Sequence, residues 1–183
     1  MEFWGKRASP CVERYIFDES LNADVVWQPD TYHSAMKYAC ASGAKRIIDI
    51  GCGNALNLKS LFADSEFEVI AVDFCGSLIA AKKNYSTATH VECDLTSWSE
   101  LLAVAEKYRD GVPTVILCGE VIEKLSDPRP LLAFIRLLLA GFASNRCFLS
   151  TPDRLKLGYH TPTSKPANPA HIREWTSEEL GTY

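Results

Sequence analysis

The chain has 183 residues, of which 47% are hydrophobic and 23% charged, and its formal net charge is −4. This length and composition favour one folded domain over a disordered chain. The lysines and arginines are not clustered, which argues against a nucleic acid as the main partner, because binding to its backbone needs grouped positive charge.

The sequence has the features of neither a membrane span nor a signal peptide. The most apolar stretch, residues 131–143, is about 13 residues long and contains Arg136, whereas a membrane-spanning helix needs about 20. Residues 1–7 lack the apolar core of a signal peptide. We therefore expect a cytoplasmic protein without membrane contact.

Secondary structure is predicted from residue 29 onward. Residues 1–28 mix aromatic and charged side chains without clear periodicity and are predicted to form an N-terminal arm or lid. Pro29 is expected to start a helix that ends at Gly43. Beyond it, short β-branched runs alternate with helical segments, with strands near 47–50, 68–73 and 90–95 and others beginning at 114 and 146, and helices at 54–62, 77–84, 97–108 and 130–143. This alternation predicts an α/β fold, a Rossmann-like, doubly wound parallel sheet with helices on both faces.

A carboxylate and two glycines occur at the end of the first predicted strand. Gly51 and Gly53 allow the tight turn and close backbone approach that a nucleotide-like ligand needs. Asp49 would repel the anionic pyrophosphate of a dinucleotide. The same carboxylate would attract the ammonium and sulfonium groups of S-adenosylmethionine, which is therefore the expected cofactor.

Two further acids end the next two predicted strands. Asp73 lies 20 residues after Gly53, where one carboxylate can accept hydrogen bonds from both ribose hydroxyls. Asp94 has two possible roles: its side chain accepts from the adenine amino group, or it caps the helix that begins near Ser97.

Together these motifs resemble the class I S-adenosylmethionine-dependent methyltransferases over residues 25–180. The segment Glu120-Val-Ile-Glu-Lys-Leu125 is similar to a motif that is commonly Glu-Val-Ile-Glu-His-Leu, and residues 166–175 resemble a substrate-side loop of bacterial small-molecule and sugar methyltransferases. The resemblance implies O-methylation of a small molecule or saccharide by a domain spanning residues 29–183. The implied cofactor contacts are Asp49, Gly51, Cys52, Gly53, Asp73, Phe74, Asp94, Leu95 and Glu120.

Residues 151–175 form a long segment after the fifth predicted strand. It holds four of the nine prolines, and ordered loops of this length usually act as lids or binding loops. Acceptor contacts are predicted for Arg154, Arg173 and Trp175. His160 and His171 are the candidate general bases, since an oxygen acceptor needs a base near neutral pH.

A metal ion is not expected. Glu120 and Glu123 are three residues apart and could hold magnesium, but such a site needs more oxygen ligands and no adjacent ammonium. Lys124 stands where the relatives often carry histidine.

Two alternative functions stay open at this point. A nicotinamide oxidoreductase is disfavoured by Asp49 and by Leu56, which occupies the last glycine position of G-x-G-x-x-G. A non-catalytic cofactor-binding or scaffold module is the other alternative, because the resemblance implies two further strands after Glu179. Without that strand pair the fifth strand is a sheet edge, and a homodimer through this edge is possible.

Overall fold

The structure is a computed structural model that describes residues 29–157, 166 and 168–182. The predicted N-terminal arm (1–28) and one candidate base, His160, lie outside the described residues. The elements in chain order are α1 (Pro29–Ser42), β1 (Arg46–Ile50), α2 (Leu56–Phe62), β2 (Glu68–Asp73), α3 (Cys75–Asn84), β3 (Thr89–Glu92), α4 (Trp98–Tyr108), β4 (Thr114–Gly119), a 3-10 helix (Ile122–Lys124), α5 (Arg129–Leu139), β5 (Arg146–Ser150) and α6 (Ser177–Gly181).

The five strands form one parallel sheet in the order β3-β2-β1-β4-β5. This confirms the predicted α/β fold. The strand order reverses between β1 and β4, and ligands of open α/β sheets bind at the carboxyl ends of the strands beside such a reversal. In the described part of the chain β5 pairs only with β4.

Each face of the sheet is covered by its own apolar cluster. Successive strand side chains point to opposite faces, so Ile48 and Ile50 pack with α4 and α5, whereas Ile47 packs with α1, α2 and α3. Asp49 lies on the same face as Ile47, below α1. The strand β1 is buried along its whole length, which fits its near-continuous isoleucines.

Several element boundaries differ from their sequence predictions. Helix α5 ends at Leu139 instead of residue 143, and Arg136 on its outer face is exposed. Strand β3 ends at Glu92 instead of the predicted Asp94, because the Asp94 side chain accepts from Thr96 N in a turn. Helix α2 begins at Leu56, since Ala55 has a positive φ of 59° that helical residues do not adopt. Within the described ranges, the helices are too short and too polar to cross a membrane.

Candidate active site

The glycine turn after β1 is closed by hydrogen bonds to β2. Gly51 N donates to Val72 O at 2.8 Å, and Gly53 N donates to Asp73 Oδ2 at 2.8 Å. Gly51 has φ of +75°, and a Cβ at this position would overlap the Cγ2 atom of Val121. Both the backbone conformation and the space therefore require glycine. The turn lies at the carboxyl edge of the sheet, where ligands of such folds bind.

Asp49 is fully buried beneath this turn. Tyr32 OH donates to Asp49 Oδ2 at 2.8 Å, while Oδ1 has no hydrogen-bond partner among the residues that the structure describes. Burial raises the pKa of this carboxyl to about 7, against the lowering effect of the Tyr32 hydrogen bond. An unpartnered buried carboxylate oxygen is costly, so a cationic ligand group such as an ammonium suits this position.

Asp73 is 6% exposed at the end of β2 and organises the surrounding backbone. Besides the bond from Gly53 N, Phe74 N donates to Oδ1 at 2.7 Å. Burial raises the pKa of Asp73, and these backbone hydrogen bonds oppose the rise. A carboxylate oxygen can accept more than one hydrogen bond, so both oxygens keep capacity for ribose hydroxyls. The side chain thus acts as a strand-end clamp and is also placed to bind a ribose.

The remaining predicted cofactor residues take different positions around this edge. Cys52 is buried and Phe74 half-buried, and Leu95 packs against the cluster below α4 and α5. Asp94 is exposed, and its Oδ1 accepts from Thr96 N at 2.8 Å and Thr96 Oγ1 at 2.7 Å. These bonds close a turn before α4, whose N-cap is Ser97, so the Asp94 side chain does not cap the helix, and the adenine contact stays a prediction.

The residues present fit S-adenosylmethionine. The glycine turn lies at the carboxyl edge of the sheet, Asp49 offers a carboxyl oxygen without a partner among the described residues, and Asp73 offers acceptors for a diol. The turn suits a nucleotide-like ligand, the Asp49 oxygen suits a cationic group on that ligand, and Asp73 suits vicinal hydroxyls.

Glu120 follows β4 in a strained conformation. Its φ is 55°, which is uncommon for a non-glycine residue, and residues in such conformations occur preferentially at functional sites. Glu120 N donates to Ser150 O at 3.0 Å, which holds the residue at the sheet edge. Burial raises the pKa of Glu120 to about 7, and the negative charge of Glu123 contributes a smaller part of this rise. Within the described ranges its Oε1 lacks a hydrogen-bond partner.

Glu120, Glu123 and His171 come together beside this edge. One possible ligand atom from each lies within 4.8 Å of the others. Glu174 Oε1 lies 2.7 Å from His171 Nδ1, and the two side chains are only 2% and 8% exposed. Sequence reasoning considered the glutamates and the histidine separately, and missed this cluster because the two segments are 48 residues apart. The His171–Glu174 spacing of three was the available signal.

The predicted acceptor residues differ in accessibility. Arg154 is 5% exposed, and its guanidinium donates to Glu174 O at 2.9 Å and Glu179 Oε1 at 2.8 Å. Trp175 is 2% exposed within the core cluster below α4 and α5. Both side chains pack the loop against the sheet, and their acceptor contacts stay predictions. Arg173 is exposed, with its guanidinium 5.3 Å from the centre of the Trp175 ring, and is the one of the three that faces solvent.

Comparison with known proteins decides the family. A family described as a methyltransferase domain matches residues 29–183. The chain belongs to this family. It is an S-adenosylmethionine-dependent methyltransferase, which leaves the nicotinamide alternative without support. No curated protein sequence matches the chain.

Solved methyltransferase structures share the fold. The methyltransferase domain of a bacterial CtHen1 is 25% identical, covering 82% of this methyltransferase and 78% of that chain, with a TM-score of 0.56. An S-adenosylmethionine-dependent methyltransferase from Archaeoglobus fulgidus is 17% identical, with 92% and 71% covered and a TM-score of 0.57. The plantazolicin methyltransferase BamL, in complex with a triazolic desmethylPZN analog and S-adenosylhomocysteine, is 16% identical, with 95% and 66% covered and a TM-score of 0.66. At these last two identities the likeness shows the fold alone.

Proposed function

We propose that this methyltransferase transfers a methyl group to a hydroxyl oxygen of a small molecule or saccharide. The observation that carries the proposal is a set of buried carboxyl oxygens without hydrogen-bond partners among the described residues. In the part of the chain that the structure describes, Glu120 Oε1, Glu123 Oε1 and Glu174 Oε2 have no hydrogen-bond partner. Ionised carboxylates need donors, and a hydroxyl-rich acceptor supplies several donors at once.

The residues divide into a cofactor side and an acceptor side. The cofactor side would hold S-adenosylmethionine through Asp49, Gly51, Gly53 and Asp73. The cofactor supplies a methyl group bound to a sulfonium, and loss of the methyl group converts the sulfonium to a neutral thioether. On the acceptor side, Glu174 accepts from His171 Nδ1, which places the lone pair on Nε2, where an acceptor hydroxyl would replace the amide of Asn168, 3.0 Å away. In the metal-free site, His171 can take the hydroxyl proton as the carbon–oxygen bond forms. Alignment of the acceptor in line with the methyl group supplies much of the remaining rate.

Arg173 offers a selective test of the acceptor side. Arg173→Ala should lower turnover of hydroxylated acceptors while leaving the S-adenosylhomocysteine affinity nearly unchanged, because the side chain is exposed beside the loop. The matched control is Arg136→Ala, which removes an exposed arginine from the outer face of α5.

Turnover should be followed as S-adenosylhomocysteine release with a panel of hydroxylated small molecules and saccharides, and the methylated atom should be assigned by NMR. Methylation of nitrogen or carbon alone would contradict the proposal. An equal loss of cofactor affinity in Arg173→Ala would instead make the loop part of the cofactor pocket.

The proposal also includes a homodimer through the edge of β5. Among the described residues, the backbone of this strand pairs only on its β4 side, and an unpaired strand edge promotes self-association. An isolated parallel bridge joins Asp153 to Trp175 beyond the end of the strand. Sedimentation velocity across a concentration series should show a monomer–dimer equilibrium, and a concentration-independent monomer would contradict this element.

A further inference from the structure

We propose that Glu120, Glu123 and His171 form a binding site for one divalent metal ion at the acceptor side of the cofactor edge. The site was not expected from the sequence, because Lys124 adjoins Glu123. This inference rests on the proposed function only in one respect, the hydroxylated acceptor that would bind to the ion. The cation site itself rests on the contacts of the three side chains.

The spacing of the three side chains suits a single ion. Their candidate ligand atoms lie within 4.8 Å of one another. Ligands of one octahedral ion with bonds of about 2.1 Å are at most about 4.2 Å apart. Adjacent ligands of such an ion are about 3 Å apart, so pairs of ligand atoms have to approach each other by up to about 2 Å, which rotation of the side chains can supply.

Buried oxygens without partners are an independent indication that a cation belongs here. Glu123 is fully buried, and its Oε1 accepts no hydrogen bond from the described residues. Glu174 is 4% exposed, and its Oε2 also accepts no hydrogen bond from the described residues. Leaving a buried charged oxygen unsatisfied is strongly unfavourable. With the carboxylates of Glu120, Glu123 and Glu174 ionised, Lys124 positive and His171 neutral, the formal charge of the cluster is −2, which a divalent cation balances.

Neighbouring groups already orient two of the ligands. Thr151 Oγ1 donates to Glu123 Oε2 at 2.9 Å, which turns Oε1 toward other partners. Glu174 holds Nδ1 of His171, a carboxylate–histidine arrangement that is usual behind metal-bound imidazoles. Asn168 Nδ2 lies 3.0 Å from His171 Nε2, so the ion would take the place of this amide contact.

The backbone fixes the distance between the two segments that carry the ligands. Ile172 N and Arg173 N donate to Glu123 O at 2.7 and 3.2 Å. The residue after His171 is thus bonded to the 3-10 helix that carries Glu123. The ligands are brought together by the fold, and the site does not depend on a mobile side chain finding its partners.

The ligand set favours a particular kind of ion. Carboxylates suit magnesium and manganese, whereas imidazole suits the first-row transition metals, so two carboxylates with one imidazole favour Mn²⁺. Three protein ligands leave coordination positions open, and acceptor hydroxyls can fill them. Ligation uses the Nε2 lone pair, so in the metal-bound state His171 holds the ion instead of taking the proton. The positive charge of Lys124 weakens binding without blocking it.

Manganese binding tests the site without any acceptor. The chain, stripped with a chelator, is titrated with Mn²⁺, and free ion is measured by electron paramagnetic resonance. We expect one Mn²⁺ per chain, at least about tenfold weaker binding in Glu120→Gln and His171→Ala, and tighter binding in Lys124→Ala. Glu106→Gln is the matched control, because this exposed carboxylate lies on α4 away from the cluster. Far-UV circular dichroism and S-adenosylhomocysteine affinity show whether each variant is folded.

Equal Mn²⁺ affinity in the parent, Glu120→Gln and His171→Ala would overturn the site, as would a parent chain that binds no Mn²⁺ at millimolar concentration. The outcomes for the metal site can be distinguished from those for the proposed function. Specific Mn²⁺ binding without methylation of hydroxyl acceptors would keep the site and reject the acceptor class. Hydroxyl methylation that proceeds unchanged in chelator, without specific Mn²⁺ binding, would reject the site alone.

Discussion

The replacement Gly51→Ala tests how the cofactor turn is built. Gly51 combines a φ of +75° with a position where a Cβ would overlap Val121. An alanine in the left-handed region costs about 1–2 kcal/mol. Forcing an extra carbon into a packed site adds about 1–3 kcal/mol. We therefore expect Gly51→Ala to lower the free energy of unfolding by about 2–5 kcal/mol.

A second glycine separates the two contributions. Gly111 has φ of +84°, and a Cβ there would meet nothing within 4 Å. Gly111→Ala should therefore show only the conformational cost of about 1–2 kcal/mol. Urea denaturation of both variants, and of Gly51→Ala combined with Val121→Ala, measures the difference. The combined variant should recover part of the loss, with a coupling energy of about 1–3 kcal/mol. If Gly51→Ala costs no more than Gly111→Ala, or shows no coupling to Val121, the steric argument is wrong.

Two further predictions concern pH and a salt bridge. Because the folded chain raises the pKa of Asp49 to about 7 from its ordinary 3.8, it binds this proton more tightly than the unfolded chain does. Its contribution to stability is thus present below pH 3.8 and lost as pH rises through about 7, and Asp49→Asn should remove that slope in urea denaturation; an unchanged slope would contradict the assignment. Arg46 is buried and forms a bidentate pair with Asp110, both bonds at 2.8 Å, plus a 2.7 Å bond to Glu68. Arg46→Ala should cost about 1.5–3 kcal/mol, near the lower end because both carboxylates can rehydrate. Arg46 lowers the pKa of Asp110 to about 2, so the stability that this pair contributes should be present above about pH 4 and lost as pH falls toward 2; acid denaturation indistinguishable between parent and Arg46→Ala would contradict it.

Local patterns were sufficient to predict the sheet. The run that ends at Asp73 was predicted over the same residues that form β2, because β-branched residues fill it and an acid ends it. The parallel sheet and the position of Asp49, Gly51 and Gly53 at its carboxyl edge follow from the alternation of strands and helices, whereas the strand order was not predicted. These predictions depend on neighbours in the sequence, which a pattern can show.

Contacts between distant segments were not predictable in the same way. Tyr32 reaches Asp49 across 17 residues, and Thr151 reaches Glu123 across 28. Arg154 carries a charge that suggests a surface role, yet the main chain of Glu174 and the carboxylate of Glu179 bind it inside the fold. A sequence gives the donors and acceptors, whereas the packing of α6 and the loop against the sheet decides which of them meet.

Binding of S-adenosylhomocysteine by isothermal titration calorimetry tests the central claim most directly. The parent chain should bind one molecule, and NAD should give no binding heat. Asp73→Ala should weaken binding by ten- to a hundredfold or more, from the loss of about 1.5–3 kcal/mol per charge-assisted ribose hydrogen bond, while Asp64→Ala, at an exposed acid, should not. A parent chain that does not bind S-adenosylhomocysteine, or an Asp73→Ala variant that binds it as tightly as the parent, would contradict the account.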